Sequence, residues 1–353
     1  MNKKCFDLLD ISRILALMMV FFLHCSIGAG RDFPSNAFLS EHNFLFLFHT
    51  PAWGGVWIFF ILSGFLSALG FQSQKYTLSL KGIIQYYYKK IHNIYFPTII
   101  FIFISIVLSY PDFFVQNKNV IFQFLYCGYN GIPGAPGIGA TWFVFTLMWL
   151  YFISPIVALL LNPLSSRKKL LFIGLLLCIF SGLAYRFLCY YFQIDWYSYC
   201  YTSVIGCVDL YFSGFIFSYL TYDSDTVDNE YRGFFYSIIL VIFVLLNSYL
   251  YSNNLYIELY QFLFPTIYIL ILLNIIRYRN IFYSHEPTYL GTFVKWVCGL
   301  SFYFYLFHSL VLGNITKYIG GTTATMQYFR IVGYTILFTL ILSISFKRCF
   351  KHV

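Results

Sequence analysis

Runs of about 20 apolar residues, the length an α-helix needs to cross the hydrocarbon of a bilayer, recur ten times along this chain. They cover approximately 11–30, 44–71, 94–110, 142–161, 170–191, 204–221, 233–251, 257–276, 297–313 and 329–346. Inside hydrocarbon every backbone N–H and C=O has to be paired within the spanning element, so each run is expected to be a helix. Only 10% of the residues are charged and 60% are hydrophobic, whereas soluble domains carry about 25% charged residues. The sequence therefore predicts an all-α integral membrane protein with ten transmembrane helices. Every connection is too short for an appended soluble domain, so 1–353 is read as a single transmembrane domain. The first run carries Arg13 and lacks a small-x-small cleavage site, which makes it a retained helix and not a secretion leader.

A net charge of +9 would suggest nucleic acid for a soluble protein, but here the positions of the charges carry topology, and no nucleic-acid partner is expected. With the N-terminus inside, sixteen Lys and Arg fall on the cytoplasmic side and only Arg31, Lys118 and Lys317 outside. This positive-inside bias predicts that the N-terminus and the C-terminus are both cytoplasmic. The sixth connection dissents with Asp223, Asp225, Asp228 and Glu230, but acidic residues contribute little to orientation. The longest connection, 111–140, is assigned outside and ends in the Gly/Pro-rich stretch 131–139, which excludes a regular helix. It reads as a surface loop or as a lid over an outward cavity.

Against this apolar background the ionisable residues stand out. Arg13 and His24 lie in or beside the first run and are separated by three helical turns, about 16 Å of rise with about 20° of angular drift, so they share one face. An ionisable group at membrane depth is costly and needs a partner, a cavity or a reaction. Two readings are open: a functional face, or a snorkelling Arg13 with a His24 bonded to a neighbouring helix. Asp10 is placed to pair with Arg13 across one turn. Arg186 and Asp209 are further intramembrane ionisable residues, read as a structural pair. The nine cysteines form no C-x-x-C pair, the seven histidines show no i, i+4 pairing, and P-loop and dinucleotide signatures are absent, so no metal and no nucleotide fold is expected.

The segment from Asp10 to His24, with Arg and His separated by ten residues, resembles the opening helix of the membrane acyltransferase 3 family. Further matches follow in order. Gly55-Val-Trp-Ile-Phe-Phe-Ile-Leu-Ser-Gly-Phe-Leu66 resembles the second-helix pattern, and Trp142-Phe143 with Tyr151 and Pro155 the fourth-span motif. Asp209-Leu-Tyr-Phe-Ser-Gly214 is similar to a later Phe-x-x-Gly helix, and Ser301-Phe-Tyr-Phe-Tyr-Leu-Phe-His308 to a Ser-x-x-x-Tyr-Leu-x-His segment. The likeness covers about residues 6–346. It implies a ten-helix protein that moves an acyl group, usually acetyl from acetyl-CoA, onto hydroxyls of surface carbohydrates or a lipid-linked glycan, working within a bacterial cytoplasmic (inner) membrane among its lipids. One departure stands at Lys90-Ile-His-Asn93-Ile-Tyr-Phe-Pro97, where Lys and Asn occupy the places of two family arginines.

Moving acetyl from a thioester to a hydroxyl needs a base near neutrality, and imidazole is suited to it. His24 is the expected base; direct transfer and an acyl-histidine both remain open. Ser63 is either a nucleophile or a small residue at a close helix contact. Arg13, with Asp10 beside it, could meet CoA phosphates or anchor its helix. Lys89 and Lys90, with His92, form a basic patch after the second span, suited to phosphates or to anchoring. Tyr305 and His308 share a face of the ninth span and could orient the acceptor, polarise the carbonyl or make an interhelical bond. Trp142 reads as a sugar-stacking ring or an interfacial anchor. Rival classes are a transporter or flippase, although no inverted repeat is visible, and a non-catalytic component of polysaccharide assembly.

Overall fold

The computed structural model describes residues 8–29, 51–109, 138–222, 230–252, 257–278, 289–318 and 324–351. These form α1 (Leu8–Ala29), α2 (Ala52–Gln72), α3 (Leu80–Lys90), α4 (Phe96–Ser109), α5 (Trp142–Leu161), α6 (Lys168–Tyr191), α7 (Val204–Thr221), α8 (Glu230–Ser252), α9 (Ile257–Arg277), α10 (Tyr289–Ile315) and α11 (Ala324–Lys351). There is no strand among the described residues, and nine helical segments among them are long and apolar enough to cross a membrane. The eighth expected span is α9, whose apolar part Phe262–Arg277 is shorter. The chain is thus an all-α integral membrane protein, as its apolar runs require. The Gly/Pro-rich residues 131–137, the bulk of the 111–140 loop and the acidic residues 223–229 lie outside the described residues.

The third span differs from expectation. It begins at Leu80 and not near 94, because α3 and α4 are joined by a π-helical turn, Ile91–Tyr95, into one continuous helix. Pro97 explains the turn. It has no N–H to give the carbonyl four residues back, and its ring would press on that carbonyl. The wider turn lets the Phe96 N–H reach Ile91 O instead, while Thr98 Oγ1 donates to Ile94 O at 2.7 Å. Lys89, Lys90 and His92 therefore sit inside a helix and not in the connection before it. Ser79 caps the start of this helix by accepting from the Gly82 N–H at 3.3 Å.

α2 is apolar on every side and carries no charged residue, so it occupies the centre of the bundle. It packs chiefly against α7 and α1; α7 also contacts α6, and α1 also contacts α10. Two Ser-Gly pairs make the α2–α7 contact. A Cβ on Gly64 would collide with the Tyr211 carbonyl, and one on Gly214 with the Ile61 carbonyl, so each backbone rests on the other where a side chain would stand. The packing reading of Ser63-Gly64 is therefore right for the glycine. The periphery is apolar in the opposite sense: Leu170, Phe172, Ile173, Leu177 and Phe180 of α6 are exposed, a surface suited to lipid and not to water.

α6 and α7 are joined by a buried ion pair. Arg186 Nη1 donates to Asp209 Oδ1 at 3.0 Å and Nη2 to Oδ2 at 2.6 Å, with both residues 2% exposed. Gly182 makes room for it, since a Cβ there would collide with the Asp209 carboxylate. The expected pairing of these two residues is present.

Candidate active site

Two polar centres lie along one face of α1. The first surrounds Arg13. Its Nη1 donates to Asp10 Oδ1 at 3.4 Å, the one-turn pairing expected from their spacing. Arg13 also lies within electrostatic reach of the Tyr151 hydroxyl on α5, and Ser63 of α2 lies near the same hydroxyl. From the other side the Lys90 ammonium sits 3.8 Å from the centre of the Tyr151 ring and 5.3 Å from that of Tyr86. This is a cation on the negative faces of two aromatic rings. Lys75 and Lys89 approach the Tyr76 ring at 5.7 and 5.9 Å. Tyr76 stays a neutral phenol between them, because burial pushes its hydroxyl up. Four helices and the turn after α2 thus gather Arg13, Lys75, Lys89 and Lys90 around a tyrosine wall.

The second centre lies three turns further along α1. His24 Nδ1 and His308 Nε2 of α10 are 2.6 Å apart, with ring planes at 6° and centroids 4.9 Å apart. Stacked faces keep their atoms about 3.5 Å apart or more. Two rings this close and this parallel meet edge to edge, in the geometry of an in-plane hydrogen bond. His308 is 1% exposed, and its other nitrogen, Nδ1, donates to the Tyr305 carbonyl one turn back at 2.6 Å. Ser309 Oγ lies 3.1 Å from Nε2. Phe21 and Phe304 flank the pair at 6.4 and 6.5 Å from the His308 centroid. His24 itself is half-buried.

Tyr305 carries the wall onward. Its hydroxyl donates to the Ala140 carbonyl at 2.5 Å, in the 3-10 turn Ile138–Thr141 that opens α5, and its ring packs on Phe59 and Phe143. Trp142, expected as a sugar-stacking ring or an interfacial anchor, opens α5 beside this turn. It is 4% exposed and its ring meets those of Phe60, Phe143 and Tyr201.

A family model described as an acyltransferase domain matches residues 6–346. The chain belongs to the membrane acyltransferase 3 family. No significant match was found among curated proteins or among solved structures. In this membrane acyltransferase the sequence-derived residues divide cleanly. Asp10, Arg13, Ser63, Lys89 and Lys90 fall at one end of the α1 face, and His24, Tyr305, His308 and Trp142 at the other. Sequence reasoning noted Tyr151 only as part of a motif, yet it is the residue on which Arg13, Ser63 and Lys90 converge. Its nine-residue distance from Trp142 gave no periodic hint of that role. The pairing of His24 with His308 was also unread, although the need of each for a polar partner at depth was a usable signal.

Proposed function

We propose that this acyltransferase moves an acetyl group from cytoplasmic acetyl-CoA to a hydroxyl of a cell-surface polysaccharide or lipid-linked glycan, in a bacterial cytoplasmic membrane with both termini inside. One observation carries the reading: a cationic centre and a histidine pair lie on one helix face, separated by three turns or about 16 Å. An extended thioester arm matches that distance. Arg13, Lys89 and Lys90 then hold donor phosphates near the cytoplasmic surface, with Asp10 orienting the Arg13 fork. Ser63 and Tyr151 line the arm, and Tyr305 shapes the acceptor end.

At the far end His24 is the general base. Its Nδ1 faces His308, so Nε2 is the nitrogen left for the acceptor. As the acceptor oxygen bonds to the acyl carbon, its O–H bond breaks and His24 Nε2 takes the proton; as the C–S bond breaks, that proton passes to the departing thiolate. Atoms and charge balance with no other reactant. The test uses the full-length protein in lipid nanodiscs with acetyl-labelled CoA and isolated envelope glycans, reading thiol release and label transfer. The parent is expected to do both, and His24→Ala to lose at least about 100-fold with unchanged membrane abundance. Near-parental turnover by His24→Ala, or solute movement without thiol release, refutes the reading.

A further inference from the structure

We propose that His308 is a positioning residue that fixes the tautomer of His24, through a hydrogen-bond chain anchored on the Tyr305 backbone carbonyl; this rests on His24 being the base.

The argument is one of donors and acceptors. A carbonyl oxygen only accepts, so His308 Nδ1, 2.6 Å from Tyr305 O, must carry a proton. In a neutral imidazole the other nitrogen is then bare, and His308 Nε2 is an acceptor. His24 Nδ1, 2.6 Å away, must donate to it. With its one proton committed at Nδ1, His24 presents an unprotonated Nε2. Ser309 Oγ, 3.1 Å from His308 Nε2, adds a second donor to the same lone pair and leaves the order unchanged. Each link therefore forces the next, starting from a peptide group that cannot titrate.

The physical consequence is that a base is available in its reactive form before the acceptor arrives. In hydrolase triads a carboxylate holds the imidazole tautomer, and loss of that control costs about 10⁴ in kcat. Here a neutral ring does the same work, which suits a site flanked by Phe21 and Phe304, where a carboxylate would be costly to bury. The near-coplanar rings align the His24 N–H with the His308 lone pair, and they also fix the direction in which His24 Nε2 points.

The experiment compares two amides at position 308. A Gln places its terminal amide near where Nε2 stood and keeps an acceptor for His24; an Asn is shorter and reaches only the place of Nδ1. Full-length protein with ring-¹⁵N histidine in nanodiscs is examined by solid-state NMR, with the His24 signals assigned by their loss in His24→Gln. The parent is expected to show a protonated Nδ1 and a bare Nε2. His308→Gln should keep that state, and His308→Asn should lose it. In the acetyl-CoA assay His308→Asn should lower kcat by about 10³–10⁴ with donor KM changed by no more than about twofold, and His308→Gln should recover to within about tenfold of the parent. A protonated Nε2 in the parent, an unchanged His24 tautomer in His308→Asn, or equal kcat losses in the two variants overturns the proposal. The two readings fail separately: turnover by His24→Ala removes His24 as base, whereas the NMR arm decides the tautomer relay whether or not acetyl moves.

Discussion

Removal of the Asp209 carboxylate should be among the most damaging single changes in the membrane region. Arg186 and Asp209 are both 2% exposed and share two bonds of 2.6 and 3.0 Å. The guanidinium has little else: Nη1 reaches the Gly206 carbonyl at 3.4 Å, and Nε is buried without a partner. Asp209→Ala leaves that cation inside the bundle. Breaking a buried pair from one side costs about 3–5 kcal/mol, and inserting an unpaired Arg at mid-membrane costs a similar ~2.5–3.5 kcal/mol. At about 1.4 kcal/mol per factor of ten, the folded-to-unfolded equilibrium constant should fall by between about a hundredfold and several thousandfold. Replacing both partners, Arg186→Met with Asp209→Leu, should return stability to within about 1 kcal/mol of the parent or exceed it. Gly182 supplies an internal check. Gly182→Ala should be harmful in the parent, where its methyl meets the Asp209 side chain from Cβ to carboxylate, and the added harm should be relieved beside Asp209→Gly, which removes all of those atoms. Denaturant titration of the purified protein in mixed micelles measures the parent and every variant. A loss below about 1 kcal/mol for Asp209→Ala, or a double replacement as unstable as the single, refutes the view that an orphaned charge is the dominant cost.

Further outcomes follow from the same geometry. Arg13→Lys keeps the charge but loses the planar fork, so donor affinity should fall at equal membrane abundance; if Arg13→Lys binds and uses acetyl-CoA like the parent, Arg13 is only an anchor. Gly64→Val presses a side chain onto the Tyr211 backbone and should cost more than the usual ~1–3 kcal/mol of overpacking, whereas Gly174→Ala, with nothing within 4 Å of the new methyl, should be neutral or stabilising. Equal thermal stability of those two variants would remove the α2–α7 backbone contact from the account. Reporter fusions after Val353 and within 111–140 should report opposite sides of the membrane, and the same side for both would overturn the charge-based topology.

The spans were legible in the sequence because their cause is local. A run of apolar residues long enough to cross hydrocarbon can satisfy its own backbone only as a helix, whatever surrounds it. The shared face of Arg13 and His24, and the pairing of Asp10 with Arg13, follow equally from helical pitch. The start of the third span was misplaced, because charge at Lys89 and Lys90 reads as a loop when the neighbours that cover it are unknown. Tyr76 covers Lys89, Tyr86 and Tyr151 cover Lys90, and Pro97 shapes the turn beyond them.

What tertiary structure alone decided is which helix stands beside which. His24 and His308 are 284 positions apart, and nothing in the periodicity of either helix names the other. The same holds for Lys90 over Tyr151 and for the close approach of Gly64 to the Tyr211 backbone and of Gly214 to the Ile61 backbone. Lipid is as apolar as the helix surfaces, so hydrophobicity drives insertion but does not choose partners. That choice falls to close packing at small residues and to the few polar groups that must find one another, both of which depend on the positions of all the helices at once.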